Sequence, residues 1–107
     1  MNEDEVKFEY FKSACEEVFT KLNVDCWITD AGSMIIITRK TNGLLLSSIL
    51  VFKPGVKVNE WYFCTVGAKI DGQTKFRGVG KVRWDDHDNL INKIEVTVSR
   101  LIESEVI

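Results

Sequence analysis

Proline is nearly absent from this sequence: Pro54 is the one in 107 residues. With so little proline, no Ser/Gln-rich run and a net charge of only −2, the chain is neither a polyproline linker nor a low-complexity disordered segment. Histidine is as scarce. His87 alone does not make a multi-histidine metal set, and no spacing links it to a nucleophile. Cys15, Cys26 and Cys64 lie far apart and form no Cys-x-x-Cys pair, which removes the usual zinc spacings and points to small buried hydrophobes. Long apolar runs are missing too: Met34 to Ile37 and Ile49 to Phe52 are among the longest, far short of a bilayer span. The acidic opening from Met1 to Glu9 lacks the basic-then-apolar layout of a secretion signal, so free thiols and a cytoplasmic location are expected.

What the chain does have is apolar content, 45% of its residues. At this length that supplies one core, with roughly two thirds of the surface buried on folding, and leaves no room for a second domain. Phe8, Phe11, Cys15, Val18, Phe19 and Leu22 recur at steps of three and four, which predicts a helix from about Glu3 to Leu22. Asn2 is its expected cap, Glu3, Asp4 and Glu5 complement its dipole, and Asn23 is its expected end.

From Val24 to Trp84 the period changes to two. Strands are expected over Val24 to Thr29, Met34 to Lys40, Leu44 to Phe52, Glu60 to Ile70 and Gln73 to Trp84. Asp30-Ala31-Gly32-Ser33 and Lys53-Pro54-Gly55 punctuate them, and Asn42-Gly43 and Asp71-Gly72 are hairpin turns by composition. The segment from about Asp88 to Glu105 carries two patterns. Lys93 to Val98 alternates like a strand, whereas Leu90, Ile91, Ile94, Val98, Leu101 and Ile102 form a helical stripe behind the capping candidates Asp85, Asp86 and Asp88; the stripe covers more of the segment and is preferred. The expected fold is a single α+β domain, a five-stranded, mostly antiparallel sheet between an N-terminal and a C-terminal helix.

Counting back from a two-residue turn at Asp71-Gly72 pairs Trp61 with Val82, places Phe63 opposite Gly80, and sets Gly67 opposite Phe76. In that register, and if the fifth strand runs unbroken past Gly78 and Gly80, Lys75, Arg77, Lys81 and Arg83 share one face with Tyr62; a bulge at either glycine would send part of the set to the opposite face. The Asn42-Gly43 hairpin is apolar on both sides: Ile35, Ile37, Leu46 and Leu50 on one, Met34, Ile36, Leu45, Ile49 and Val51 on the other. Such strands are buried on both faces, by one helix each, or by a partner if both helices take the same side.

Charge is segregated. Met1 to Asp30 holds three basic and eight acidic residues, Ala31 to Trp84 nine and two, and Asp85 to Ile107 two and six. Acidic helices offsetting a basic sheet is the plain explanation; a basic, aromatic sheet face for single-stranded nucleic acid is the sharper one, weakened by the absence of an overall basic balance. Asp85-Asp86-His87-Asp88 has ligand chemistry for a divalent cation, but equally the composition of a helix start. Gly78-Val79-Gly80-Lys81 lies inside a strand pattern and lacks phosphate-loop spacing. No catalytic set assembles and no cofactor is implied. The expectation is therefore a small, non-enzymatic protein-binding module: an inhibitor, adaptor or chaperone-like factor of the kind phages and mobile elements encode. It would act through a sheet face or edge with Trp27, Tyr62, Lys75, Arg77, Lys81 and Arg83. A homodimer is a further expectation, and single-stranded nucleic acid is the alternative partner. Trp27 enters because it is out of phase with Val24, Cys26 and Ile28, and an outward tryptophan anchors interfaces.

Overall fold

Helix α1 spans Glu3–Leu22 in the computed structural model, which describes residues 3–31, 34–54, 60–70, 73–105 and 107, with the backbone alone for 52–54, 60, 62–70 and 73–81. The cap expected at Asn2 and the turns at Gly32-Ser33 and Asp71-Gly72 lie outside the described residues. Phe11, Ala14, Cys15, Val18 and Phe19 make the buried stripe of α1, and Lys7 is buried with them. Asn23 closes the helix in the left-handed region at φ 52. Its N–H donates to the Thr20 carbonyl at 3.2 Å and that of Val24 to Phe19 at 3.2 Å, the two reversed bonds that satisfy a helix C-terminus.

That closure has a consequence for the first strand. Val24 is committed to the helix end, so β1 is Cys26–Ala31 rather than the expected Val24 to Thr29. β2 (Met34–Thr41) and β3 (Leu44–Pro54) follow, joined by Asn42 and Gly43 at φ 50 and 78. Two successive positive φ angles define the hairpin turn whose twist matches its strands. β4 (Glu60–Ile70) and β5 (Gln73–Arg83) continue the sheet in the hydrogen-bonded order β1-β2-β3-β4-β5, each neighbour antiparallel.

The last segment is helix α2, His87–Glu103. Asp86 caps it, accepting from the Asn89 N–H at 3.3 Å, and Leu90, Ile94, Thr97, Val98 and Leu101 are buried. The β-branched Thr97 is accommodated by donating its hydroxyl to the Lys93 carbonyl at 2.7 Å. A capped stripe of four turns thus outweighs the strand-like alternation of Lys93 to Val98.

The fold is α+β, two helices against an antiparallel sheet. Ile35, Ile37, Leu50, Trp61 and Val82 join Phe11, Val18, Ile94 and Val98 in one buried cluster, so both helices lie on the same side of the sheet. Each fully buried Ile, Leu or Phe there contributes about 1.5–3 kcal/mol. Lys21 reaches Glu95 at 2.7 Å and His87 reaches Glu17 at 3.2 Å, bridging the helices at their exposed rim.

Two register shifts in the β4–β5 pair correct the expected alignment. Phe63 does face Gly80 and Trp61 does pair with Val82. Phe76, however, pairs with Val66, and Gly67 is passed over; a second shift between Phe63 and Cys64 passes over Val79. Between the shifts β5 is displaced by one residue, which reverses its alternation. Positions 75 and 77 pair with 68 and 65, on the side of Leu50, whereas 81 and 83 pair with 62 and 60, on the side of Val51. Lys75, Arg77, Lys81 and Arg83 therefore do not share one face.

Candidate functional site

The side of the sheet turned away from the helices is the surface left to act. Its positions follow from register: Trp27, Thr29 and Ala31 of β1 lie opposite Thr38, Ile36 and Met34 of β2, and these opposite Ser47, Ile49 and Val51 of β3. Val51 is buried yet stands outside the main core cluster, as its place on this side requires. Ile36 and Ile49 are half-buried, while Trp27, Met34 and Leu45 are 41%, 38% and 64% exposed. An uncovered row of this kind is unusual, since the hydrophobic effect disfavours contiguous apolar surface in water. Thr38 and Ser47, paired across β2 and β3, share a hydroxyl–hydroxyl hydrogen bond of 3.0 Å and leave the centre of the row weakly polar. Lys40 is the exposed charge on the same face of β2, and register places Lys53 and Lys81 on that face too.

Trp27 is exposed on this face, as its phase in β1 predicts. Arg83 is exposed as well, but its guanidinium is held by Asp85, Nε to Oδ1 and Nη2 to Oδ2, both at 3.0 Å. That hydrogen-bonded fork holds the Asp85 carboxyl below the ordinary carboxylate range and raises Arg83 above its own. The side chains of Tyr62, Lys75, Arg77 and Lys81 lie outside the described residues; their register positions are those given above.

The Asp85 to Asp88 cluster is the start of a helix. Asp85 holds Arg83, Asp86 caps α2, His87 meets Glu17, and Asp88 sits in the first turn. Among the described residues no three His, Cys, Asp or Glu side chains converge as metal ligands would. Gly78 to Lys81 lie within β5, without the strand-to-helix turn that a phosphate loop needs. Cys15 is buried and Cys26 half-buried; Cys64 lies among the residues described by backbone alone. Burial pushes both described thiols up, with Arg39 opposing the effect at Cys26, so neither is an activated nucleophile.

Two features escape the sequence reading. One is Lys7, whose ammonium lies 5.5 Å from the Trp61 ring centre and 5.7 Å from that of Trp84. Its signal was available: position 7 falls on the stripe of Phe11, Ala14 and Val18, where a lysine is out of place. The other is an open groove of about 460 Å³ between α1 and β1, lined by Phe19, Val24, Trp27 and Ile28 together with the polar Glu16, Thr20 and Asn23. No local pattern announces it, because separate elements supply its walls.

Among the described residues no helix is long and apolar enough to cross a membrane. Comparison of the chain with protein-family models, with curated proteins and with solved structures found no match.

Proposed function

We propose that this protein is a non-enzymatic protein-binding module that works through the helix-free face of its sheet, as an inhibitor, adaptor or chaperone-like accessory factor. The observation behind this reading is the placement of both helices on one side, which leaves Trp27, Met34, Ile36, Leu45 and Ile49 on a face that no helix covers among the described residues. A large amphipathic ring beside flexible and branched aliphatic groups is the usual anchor chemistry of a protein interface. Lys40 at the rim, with lysines at positions 53 and 81, favours a partner whose apolar patch is bordered by carboxylates.

Single-stranded nucleic acid is the competing partner. The register removes its main support, because the basic residues of β5 divide between the two sides of the sheet. A double variant, Met34→Glu with Leu45→Glu, tests the choice. Both residues are exposed, so folding should change by no more than about half a kcal/mol. Native co-purification of the parent chain should retain a defined protein that the variant loses. Retention of that protein by the variant would overturn the reading. So would recovery of an oligonucleotide instead, with affinity falling steeply as salt rises.

A further inference from the structure

We infer that the outer edge of β1, with the groove beside it, is a second binding site, one that takes an extended peptide carrying a basic residue by strand addition. β1 is an edge strand, paired with β2 alone in the strand order. The Lys40 N–H donates to the Asp25 carbonyl at 3.1 Å. In an antiparallel ladder that bond fixes the alternation: residues in phase with Asp25 point their backbone groups at β2, and the intervening ones, Cys26 and Ile28, point theirs away. Among the described residues no other backbone group meets Cys26 or Ile28 across that edge. Two residues thus offer an N–H and a C=O each to an incoming strand, which is the main-chain half of strand addition.

The groove supplies the side-chain half. It runs between the end of α1 and β1, and Phe19, Val24 and Ile28 give it an apolar wall beside Trp27. Glu16 is the charged residue of its lining, and among the described residues no cation pairs with the Glu16 carboxylate. Asp25 adds a second exposed carboxylate at the start of the edge. The site therefore asks for an aliphatic and a basic residue two positions apart, so that both fall on the face of the peptide turned to the groove: the aliphatic group against Phe19 and Ile28, the lysine or arginine towards Glu16. The same carboxylates disfavour a second copy, because antiparallel β1–β1 pairing would bring the acidic edges of two chains together. The two sites share Trp27, but Glu16 belongs to the groove alone and Met34 and Leu45 to the helix-free face alone, so they are separable by mutation.

The probe is a six-residue peptide, the length of β1, with valine and lysine two apart on one face, threonine between them, and both ends blocked. The measurement is amide hydrogen exchange by NMR at Cys26 and Ile28 in the full chain. At a peptide concentration ten times its Kd, exchange at these two amides should slow by about tenfold. Glu16→Lys should weaken binding by about fivefold to tenfold, as expected when a partly exposed attraction becomes a repulsion. A peptide N-methylated along one edge should not bind, whereas the Met34→Glu, Leu45→Glu variant should bind as the parent does. Unchanged exchange at the two amides would overturn the inference. Equal binding of the same peptide with glutamate in place of lysine would do the same, as would protection that rises with protein concentration alone, the mark of a second copy on this edge.

Discussion

Replacing Lys7 by methionine should destabilise the protein by about 1–2 kcal/mol. Lys7 is 8% exposed, and its ammonium lies 5.5 and 5.7 Å from the ring centres of Trp61 and Trp84 and 3.1 Å from a carboxylate oxygen of Glu3. Tyr10 packs edge-on against Trp84, with ring centres 5.3 Å apart, and holds that ring in place. Each cation–ring contact is worth about 0.5–1 kcal/mol at this degree of burial, and the exposed partner Glu3 adds about 0.3–0.5 kcal/mol. Methionine keeps most of the apolar stem and relieves the partial desolvation of the charge, which offsets a fraction of that loss. Lys7→Ala also strips three buried methylenes and should cost about 2 kcal/mol more. Urea unfolding followed by tryptophan emission reads both variants. Glu3→Gln, measured at low and high salt, isolates the ion pair, which salt should screen while the ring contacts persist. If Lys7→Met is as stable as the parent chain, the ammonium contributes nothing and the stem alone holds the residue.

Two further tests concern the helices. Burial raises the Cys15 thiol far above its unfolded value of 9.0, so above that pH the unfolded chain has released a proton that the folded chain still holds. Stability is then complete below pH 9.0 and falls above it by up to about 1.4 kcal/mol per pH unit; Cys15→Ala should flatten that decline in urea midpoints taken on either side, and an unchanged slope would contradict the burial. Asp86→Ala removes the side-chain acceptor of the Asn89 N–H and should cost about 1 kcal/mol with loss of helicity by circular dichroism, whereas Asp88→Ala, which removes only a first-turn charge favourable to the helix dipole, should cost less.

Some of this architecture was legible because single residues carried it. Periodic burial from Phe11 to Phe19 marks α1, and Asn42 and Gly43 take the left-handed angles that their residue types favour. The C-terminal segment was ambiguous because β-branched Val96, Thr97 and Val98 fit both patterns; Asp86 tipped it by satisfying the first turn. The register of β5 was not legible. Gly78 and Gly80, which flank the passed-over Val79, show where the strand can slip, as Gly67 does at the other shift, but whether it slips depends on the partner strand's pairing.

The candidate site was half legible, for a physical reason. The apolar surplus on both sides of the β2–β3 hairpin is a property of sequence alternation, and it appears in the structure as Ile35, Ile37 and Leu50 on one side and Ile36, Ile49 and Val51 on the other. The side each helix takes is different, because it depends on contacts between elements distant in sequence. Lys7 brings the first half of α1 against the Trp61 and Trp84 rings, and Lys21 with Glu95 ties α2 to α1. Once both helices occupy one side, two-sided apolarity stops being a packing requirement. Covering Ile36 and Ile49 beyond their half-burial would have needed a helix on the far side; among the described residues none lies there, and it is on this that the proposed partner rests.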